Sequence, residues 1–178
     1  MPSKLTVIGI VAMVVAAAVG AYILFFSEQV SGKEYNVKFS DFVFVLEDGN
    51  WPLRVKVGQK IVFKCKNVGG YPHEMMIVTP EAKDALLQMA KGILNDLASQ
   101  GLTGDELAER YEEVLADHEA EDGVLAEIIL EPGESGDISV VFTEPGTYYV
   151  ICLEADGTAD GLKVHAEHGM IAEIIVEA

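Results

Sequence analysis

The strongest constraint on the fold is a period-two alternation of apolar and polar residues, which recurs along the chain from residue 34 onward. It is clearest at positions 35–39, 61–66, 138–142 and 170–176. Alternation of this kind is typical of strands with one buried face. About seven or eight such segments, separated by turns rich in Gly, Pro and Asp, predict an all-β sandwich.

One segment in the middle of the chain has helical periodicity instead. Thr79 followed by Pro80 is typical of a helix start, and apolar residues then recur at spacings of three and four. A capping-box pattern at 103–106 precedes a second apolar stripe, whose opposite face is acidic. We therefore predict that residues 80–122 form a helical hairpin inserted into the β-domain.

The amino-terminal segment has a different character. Residues 5–26 form an uncharged, apolar run of 22 residues, and about 20 apolar residues suffice to cross a bilayer as a helix. Lys4 before the run favours a cytoplasmic amino terminus. We predict a transmembrane anchor at 1–26, a linker at 27–33 and an extracytoplasmic domain at 34–178. A cleaved signal peptide is the alternative.

The charge of the chain limits its partners. The formal net charge is −17. Lys4 is the only charged side chain before the end of the apolar run, so the domain that follows carries the whole negative charge. A surface of this sign repels nucleic acid and favours a partner with a basic docking surface. It is equally compatible with a role in solubility or with a salty habitat.

The two cysteines are too few for a disulfide framework. Cys65 shares a strand face with Ile61 and Phe63, which predicts a small buried apolar residue. A disulfide between Cys65 and Cys152 is the competing interpretation.

Residues that can bind a metal occur at the predicted strand ends. They are His73, Cys152, His165, His168 and Met170. Two imidazoles, one thiolate and a weak axial thioether form the donor set of a blue copper centre, in which the soft sulfur ligand favours Cu(I) and imidazole suits copper in both states. Other metal-capable side chains have simpler interpretations: His118 as a solvated surface residue, and Met75 and Met76 as core residues.

The order of these residues resembles that of the cupredoxins, small blue copper proteins of the plastocyanin and azurin type. The resemblance is carried on both sides of the helical insert by these motifs: Val55-Lys-Val-Gly58, Asn67-Val-Gly69 before His73, Glu144-Pro-Gly-Thr-Tyr-Tyr149 before Cys152, and His165-x4-Met170. It implies a cupredoxin-like Greek-key β-sandwich that binds one copper ion. His73, Cys152 and His165 would be the equatorial ligands and Met170 the axial one.

The chain departs from the cupredoxin pattern in two respects besides the insert, and one ligand position has two candidates. The loop between Cys152 and His165 has twelve residues, more than is usual, and we expect its acidic and Gly residues to form turns or, less simply, a second cation site. Glu74 follows His73 where the family often has a residue that ties the ligand loops together. His168 competes with His165 as the second imidazole ligand, but the family spacing favours His165.

The resemblance implies an electron carrier rather than an enzyme. In the family, electrons pass through the edge of the second histidine, here His165, to a redox protein. Four histidines are too few for a multicopper oxidase. The alternative function is copper storage or delivery to an extracytoplasmic oxidase. A metal-free sandwich used in adhesion or assembly is a third interpretation.

Overall fold

A computed structural model of the protein describes residues 32–116, 122–158 and 161–178. Within these ranges the chain is mostly β-structure, with two helices between β5 and β6. The strands are β1 (Lys33–Ser40), β2 (Val43–Leu46), β3 (Leu53–Lys56), β4 (Lys60–Asn67), β5 (His73–Val78), β6 (Val124–Leu130), β7 (Ser135–Val141), β8 (Gly146–Ile151), β9 (Ala155–Thr158), β10 (Gly161–Val164) and β11 (Ile171–Glu177). The helices are α1 (Pro80–Ser99), α2 (Gly104–Ala116) and a short 3₁₀ helix (His165–His168).

Two sheets face each other across the main core. One has the strand order β2-β1-β4-β7 and the other β3-β11-β8-β5-β6. Strands that are neighbours in sequence repeatedly change sheet: β3 and β4 follow one another through a turn at Gly58, yet β3 pairs with β11 and β4 with β1 and β7. Such crossings make a sandwich rather than a meander, as predicted.

The inward-facing side chains of both sheets fill the space between them. Alternation along β4 buries Ile61, Phe63 and Cys65 while Lys64 and Lys66 are exposed. Cys65 is a buried free thiol, as is Cys152, so the disulfide interpretation is wrong. The thiol of Cys65 contacts the sulfur of Met75 at 3.6 Å, deep in the core.

The helical insert is present and packs on the outer face of the five-stranded sheet. The hydroxyl of Thr79 accepts a hydrogen bond from the N–H of Ala82 and caps α1, as its position before Pro80 predicts. Together with residues of β5, β8 and β10, the helices form a second core, which includes Leu86, Ala90 and Tyr111. Each fully buried Leu in it contributes about 1.5–3 kcal/mol.

Strand β5 lies between the two cores, and every residue in it is buried. Met75 and Ile77 point into the sandwich, whereas Met76 and Val78 point towards the helices. Met75 and Met76 are therefore core residues, as predicted. By the same alternation His73 points inward and Glu74 outward.

The loop after Cys152 differs from the prediction. Instead of a series of turns it contains two strands, β9 and β10, which pair as an antiparallel hairpin. The predicted anchor at 1–26, most of the linker at 27–33, and His118 lie outside the described residues. Among the residues that the structure does describe, no helix is both long and apolar enough to cross a membrane.

Candidate metal centre

Cys152 lies immediately after β8, at the edge of the main core. It continues the alternation of the strand, so that its side chain points inward like that of Val150, and it is fully buried. The sulfur accepts a hydrogen bond from the N–H of Glu74 at 3.3 Å and a second from the backbone N–H of Glu154. Two N–H donors aimed at one sulfur suit a negatively charged thiolate better than a neutral thiol.

His73 and His165 approach this sulfur from two other elements. His73 is the first residue of β5, and His165 is the first residue of the 3₁₀ helix. Their Nδ1 atoms lie 3.1 Å apart, and the Nδ1 atom of His165 lies 3.4 Å from the sulfur of Cys152. Among the described residues these three side chains form a group whose potential ligand atoms all lie within 4.8 Å of one another.

Backbone hydrogen bonds near His165 join the two ends of the loop between Cys152 and His165, which we call the ligand loop. Its N–H donates to the carbonyl of Glu154 at 2.7 Å, and the N–H of Ala166 donates to the carbonyl of Cys152 at 3.0 Å. These bonds pin the end of the long loop next to its beginning. The short helix then ends at Gly169, whose φ of 104° is readily adopted by glycine.

Met170 lies directly beside these residues in the hydrogen-bond network. Its N–H donates to the carbonyl of His165 at 3.1 Å, and its carbonyl accepts from the N–H of Cys152 at 3.3 Å. The side chain is fully buried in the main core. The structure thus ties Met170 by its backbone to two of the other predicted ligands, and its role as an axial ligand stays a prediction.

The three converging donors fit a single metal ion. Metal–nitrogen bonds of about 2.0 Å and a metal–sulfur bond of about 2.3 Å place the donor atoms of one ion roughly 3–4 Å apart. The observed separations of 3.1 Å and 3.4 Å fall in that range. A soft sulfur with two imidazoles favours copper or zinc over magnesium or calcium.

Burial favours the uncharged forms of Cys152 and His165 in the metal-free protein. It raises the pKa of the Cys152 thiol well above its usual value. Burial, followed by the proximity of His73, lowers the pKa of His165 to about 4. An imidazole that is neutral at pH 7 is the form that binds metals, whereas the thiol must lose its proton to do so.

Glu74, which departs from the cupredoxin pattern, nevertheless links the segments that carry His73 and Cys152. Its N–H donates to the sulfur of Cys152, and its carboxyl oxygen accepts from the N–H of Leu153 at 3.2 Å. Burial raises the pKa of Glu74 well above the ordinary value, and a hydrogen bond with Glu127 raises it further. A carboxyl group therefore performs the tying role in this chain.

A turn with no distinguishing sequence pattern lies over His73 and His165. Phe42, between β1 and β2, has a φ of 65°, a conformation that bulky residues rarely adopt. Its ring lies 5.3 Å from that of His165 and 4.7 Å from that of His168. Tyr71 lies 6.4 Å from the ring of His165. We call Phe42 and Tyr71 the aromatic cover, because His165 beneath them is only 1% exposed.

Asp41, in the same turn, lies next to His73. Its carboxylate is 3.7 Å from Nε2 of His73 and accepts a hydrogen bond from the N–H of Gly70 at 2.8 Å. A Cβ atom at Gly69 would lie 2.8 Å from Nε2 of His73, so this position requires glycine. Polar residues at a β-turn are common, and no local sequence signal distinguished this turn from others.

His168 lies outside the group of three converging donors. Its ring is half-buried against Phe42. The structure therefore brings His165, rather than His168, next to His73 and Cys152.

Comparison with known proteins shows similarity in structure. No protein-family model matches the chain, and no curated protein does. Among solved structures, a dithionite-reduced auracyanin from Roseiflexus castenholzii has a TM-score of 0.53 and 18% identity, over 83% of this chain and 98% of the other. Auracyanin B has a TM-score of 0.52 and 18% identity, over 82% and 89% of the two chains.

A third similar structure is auracyanin A, described as a blue copper protein from Chloroflexus aurantiacus. Its TM-score is 0.50 at 18% identity, over 83% of this chain and all (100%) of the other. At this identity the likeness concerns the fold. The predicted cupredoxin-like sandwich with a helical insertion is thereby confirmed.

Proposed function

We propose that this chain of cupredoxin fold carries single electrons on one type 1 copper ion. His73, Cys152 and His165 would be the equatorial ligands and Met170 the axial one. The observation that carries the proposal is the convergence of two imidazole nitrogens and one sulfur from three separate elements. The Nδ1 atoms of His73 and His165 lie 3.1 Å apart, and Nδ1 of His165 lies 3.4 Å from the sulfur of Cys152. When bound, the copper ion supplies the one-electron redox couple.

The protein's contribution is to hold its donors in place and to exclude water. His73, Cys152 and Met170 are fully buried, and His165 nearly so. Hydrogen bonds between Cys152, His165 and Met170 fix the backbone that carries them. Donors that are held rigidly move little when the charge on the ion changes, which keeps the barrier to electron transfer low.

The same burial supports electron transfer over copper storage or delivery. A donor set without exposed members offers an accepting protein or chelator no ligand to displace stepwise. Rapid reversible reduction with the metal retained is the behaviour expected of such a site. Ready transfer of copper to a chelating acceptor would favour storage or delivery.

We further propose that the electron crosses the aromatic cover rather than leaving from an exposed imidazole edge. His165 is 1% exposed, whereas Tyr71 above it is 43% exposed. A redox protein docked on this cover would approach the copper through the rings of Phe42 and Tyr71. With a net charge of −17 on the chain, the proposed partner has a basic docking surface.

The proposed location is the outer side of a cell membrane. It rests on the apolar run at 5–26 and on Lys4 before it. In this arrangement residues 1–26 anchor the chain, 27–33 are the linker, and the domain at 34–178, with its insert at 80–122, reaches redox partners outside the cytoplasm. Protease protection of the tagged termini in membrane vesicles tests the orientation.

Visible and electron paramagnetic resonance spectroscopy of the copper-loaded full chain in detergent test the metal site. We expect a strong thiolate-to-copper absorption band and a narrow copper hyperfine splitting. Cys152→Ser should abolish the band because it removes the sulfur ligand. The matched control is Cys65→Ser, which changes the other buried free thiol and should leave the band almost unchanged. A wild-type protein that gains no such band on copper loading refutes the proposal.

A further inference from the structure

The helical insert reaches the proposed copper ligands through one buried hydrogen bond. Tyr111, in α2, is fully buried, and its hydroxyl donates to the carbonyl oxygen of Leu153 at 2.7 Å. Leu153 directly follows Cys152 and is also almost fully buried. The contact therefore connects the insert to the residue next to Cys152.

The carbonyl of Leu153 and the N–H of Glu154 belong to the same amide group. This N–H is one of the two backbone donors to the sulfur of Cys152. An amide whose oxygen accepts a hydrogen bond becomes a stronger donor at its N–H, and such polarisation along a chain of bonds is greater in a buried environment. The hydroxyl of Tyr111 is thus placed to strengthen the N–H···S bond from the far side of the amide.

The surroundings hold this amide in one orientation. On the preceding peptide, the N–H of Leu153 donates to the carboxyl of Glu74 at 3.2 Å. The side chain of Leu153 packs in the second core with residues of both helices. Lys91 of α1 forms a 3.0 Å ion pair with Glu167 in the 3₁₀ helix, which adds a second link between the insert and the ligand loop.

We propose that Tyr111 is a positioning residue, and that the helical insert sets the reduction potential of the copper site through the hydrogen-bonded sequence Tyr111–Leu153–Glu154–Cys152. The inference rests on the proposed function for its copper part. A hydrogen bond to the sulfur stabilises the reduced state, in which the sulfur carries more negative charge. Tyr111 therefore raises the reduction potential.

The first test is the reduction potential of Tyr111→Phe, which keeps the ring and removes the hydroxyl. We expect the ratio of Cu(I) to Cu(II) at a fixed applied potential to fall about threefold, or about 28 mV at 59 mV per tenfold change. The matched control is Tyr148→Phe, because the Tyr148 hydroxyl also donates to a backbone carbonyl, that of Glu144 at 3.1 Å, in the turn before β8. An unchanged potential in Tyr111→Phe, or an equal shift in the control, overturns the proposal.

A change of opposite sign separates this role from a general loss of packing. Replacing Tyr111 by 3-fluorotyrosine keeps the hydroxyl and makes it a stronger donor, so the potential should rise. If Tyr111→Phe proves too unstable to measure, this variant alone still decides the matter. A fall in potential with 3-fluorotyrosine contradicts the proposal.

The hydrogen-bonded sequence can also be observed without copper. In the metal-free full chain, the amide proton resonance of Glu154 should move upfield in Tyr111→Phe and stay in place in Tyr148→Phe, because a weaker N–H···S bond deshields it less. An unmoved Glu154 resonance refutes the link through the amide, whether or not the protein binds copper. A moved resonance in a protein that gains no thiolate-to-copper band upholds the link and refutes the proposed function.

Discussion

Phe42 combines an unfavourable backbone conformation with a position directly over the site. A φ of 65° in a bulky residue costs of the order of 1–3 kcal/mol. The ring contacts of Phe42 with His165 and His168 offset part of this cost. Strain of this kind persists where the surrounding contacts impose it, and here they place an aromatic ring between His165 and solvent.

Removing this ring should open the site without unfolding the protein. Phe42→Gly relieves the backbone strain, since glycine adopts positive φ readily, and leaves His165 accessible. We expect a bidentate chelator to remove copper about two- to tenfold faster, the range that corresponds to an aromatic pair worth about 0.5–1.5 kcal/mol. The removal rate follows from the decay of the thiolate-to-copper band.

The control for this variant is Val43→Ala, which shortens a neighbouring side chain that is already 45% exposed. It should leave the removal rate unchanged. Equal rates in wild type and Phe42→Gly would show that the ring does not limit access to the metal.

Copper affinity should depend on pH through the thiol. Burial raises the pKa of Cys152 well above its usual value, so the folded metal-free protein holds this proton throughout pH 5–8 and must release it when copper binds. The apparent affinity should therefore rise by up to about tenfold per pH unit from this group. Competition titrations against a chelator of known pH dependence measure it.

His165 should not add to this dependence in the same window. Its pKa is lowered to about 4, so the imidazole is already neutral above pH 5 and has no proton to lose. An affinity that stays constant between pH 5 and 8, after correction for the chelator, would contradict the assignment of Cys152 as a ligand.

At the scale of elements, local sequence patterns predicted what depends on local physics. The cap at Thr79, the helical periodicity after it and the alternation along β4 follow from hydrogen bonding and burial within a few residues. The grouping of His73, Cys152 and His165 came from the order of motifs in a known family. Neither source indicated where a turn or a hydroxyl would lie in three dimensions.

The features that were missed depend on contacts between distant segments. Tyr111 lies on the apolar stripe of the second predicted helix, but its hydroxyl donates to the carbonyl of Leu153, 42 positions away, which no local pattern indicates. No local sequence pattern set Asp41 and Phe42 apart, and their contacts with the histidines depend on how the β1–β2 turn packs beside the loop between Cys152 and His165. The hairpin of β9 and β10 has Gly and Asp residues that resemble a series of turns, yet pairing across the loop makes them strands.

At the scale of the whole molecule, the acidic surface should determine how reaction partners approach. The net charge of −17 attracts cations over a screening length of about 8 Å at physiological ionic strength. Near the aromatic cover, the carboxylate of Asp41 is half-exposed. We expect cationic inorganic complexes to reduce or oxidise the copper protein faster than anionic ones of similar potential.

The salt dependence of these rates provides the measurement. Stopped-flow rates with a cationic complex should fall as salt is added, and those with an anionic complex should rise, by about tenfold or more between low and physiological ionic strength. The oppositely charged complexes serve as controls for each other. Rates that do not respond to salt for either complex would exclude a role for the acidic surface in docking.

The two ends of the helical insert lie side by side. Val78 pairs with Val124, and the N–H of Thr79 donates to the carbonyl of Gly123 at 3.0 Å. The chain therefore departs from the sandwich and returns to it at one point, so that in topological terms the two helices are a greatly enlarged connection of a β-hairpin. Because the entropy of closing a connection grows only slowly with its length, such an excursion can be lengthened, shortened or exchanged as a unit while the strands on either side keep their register.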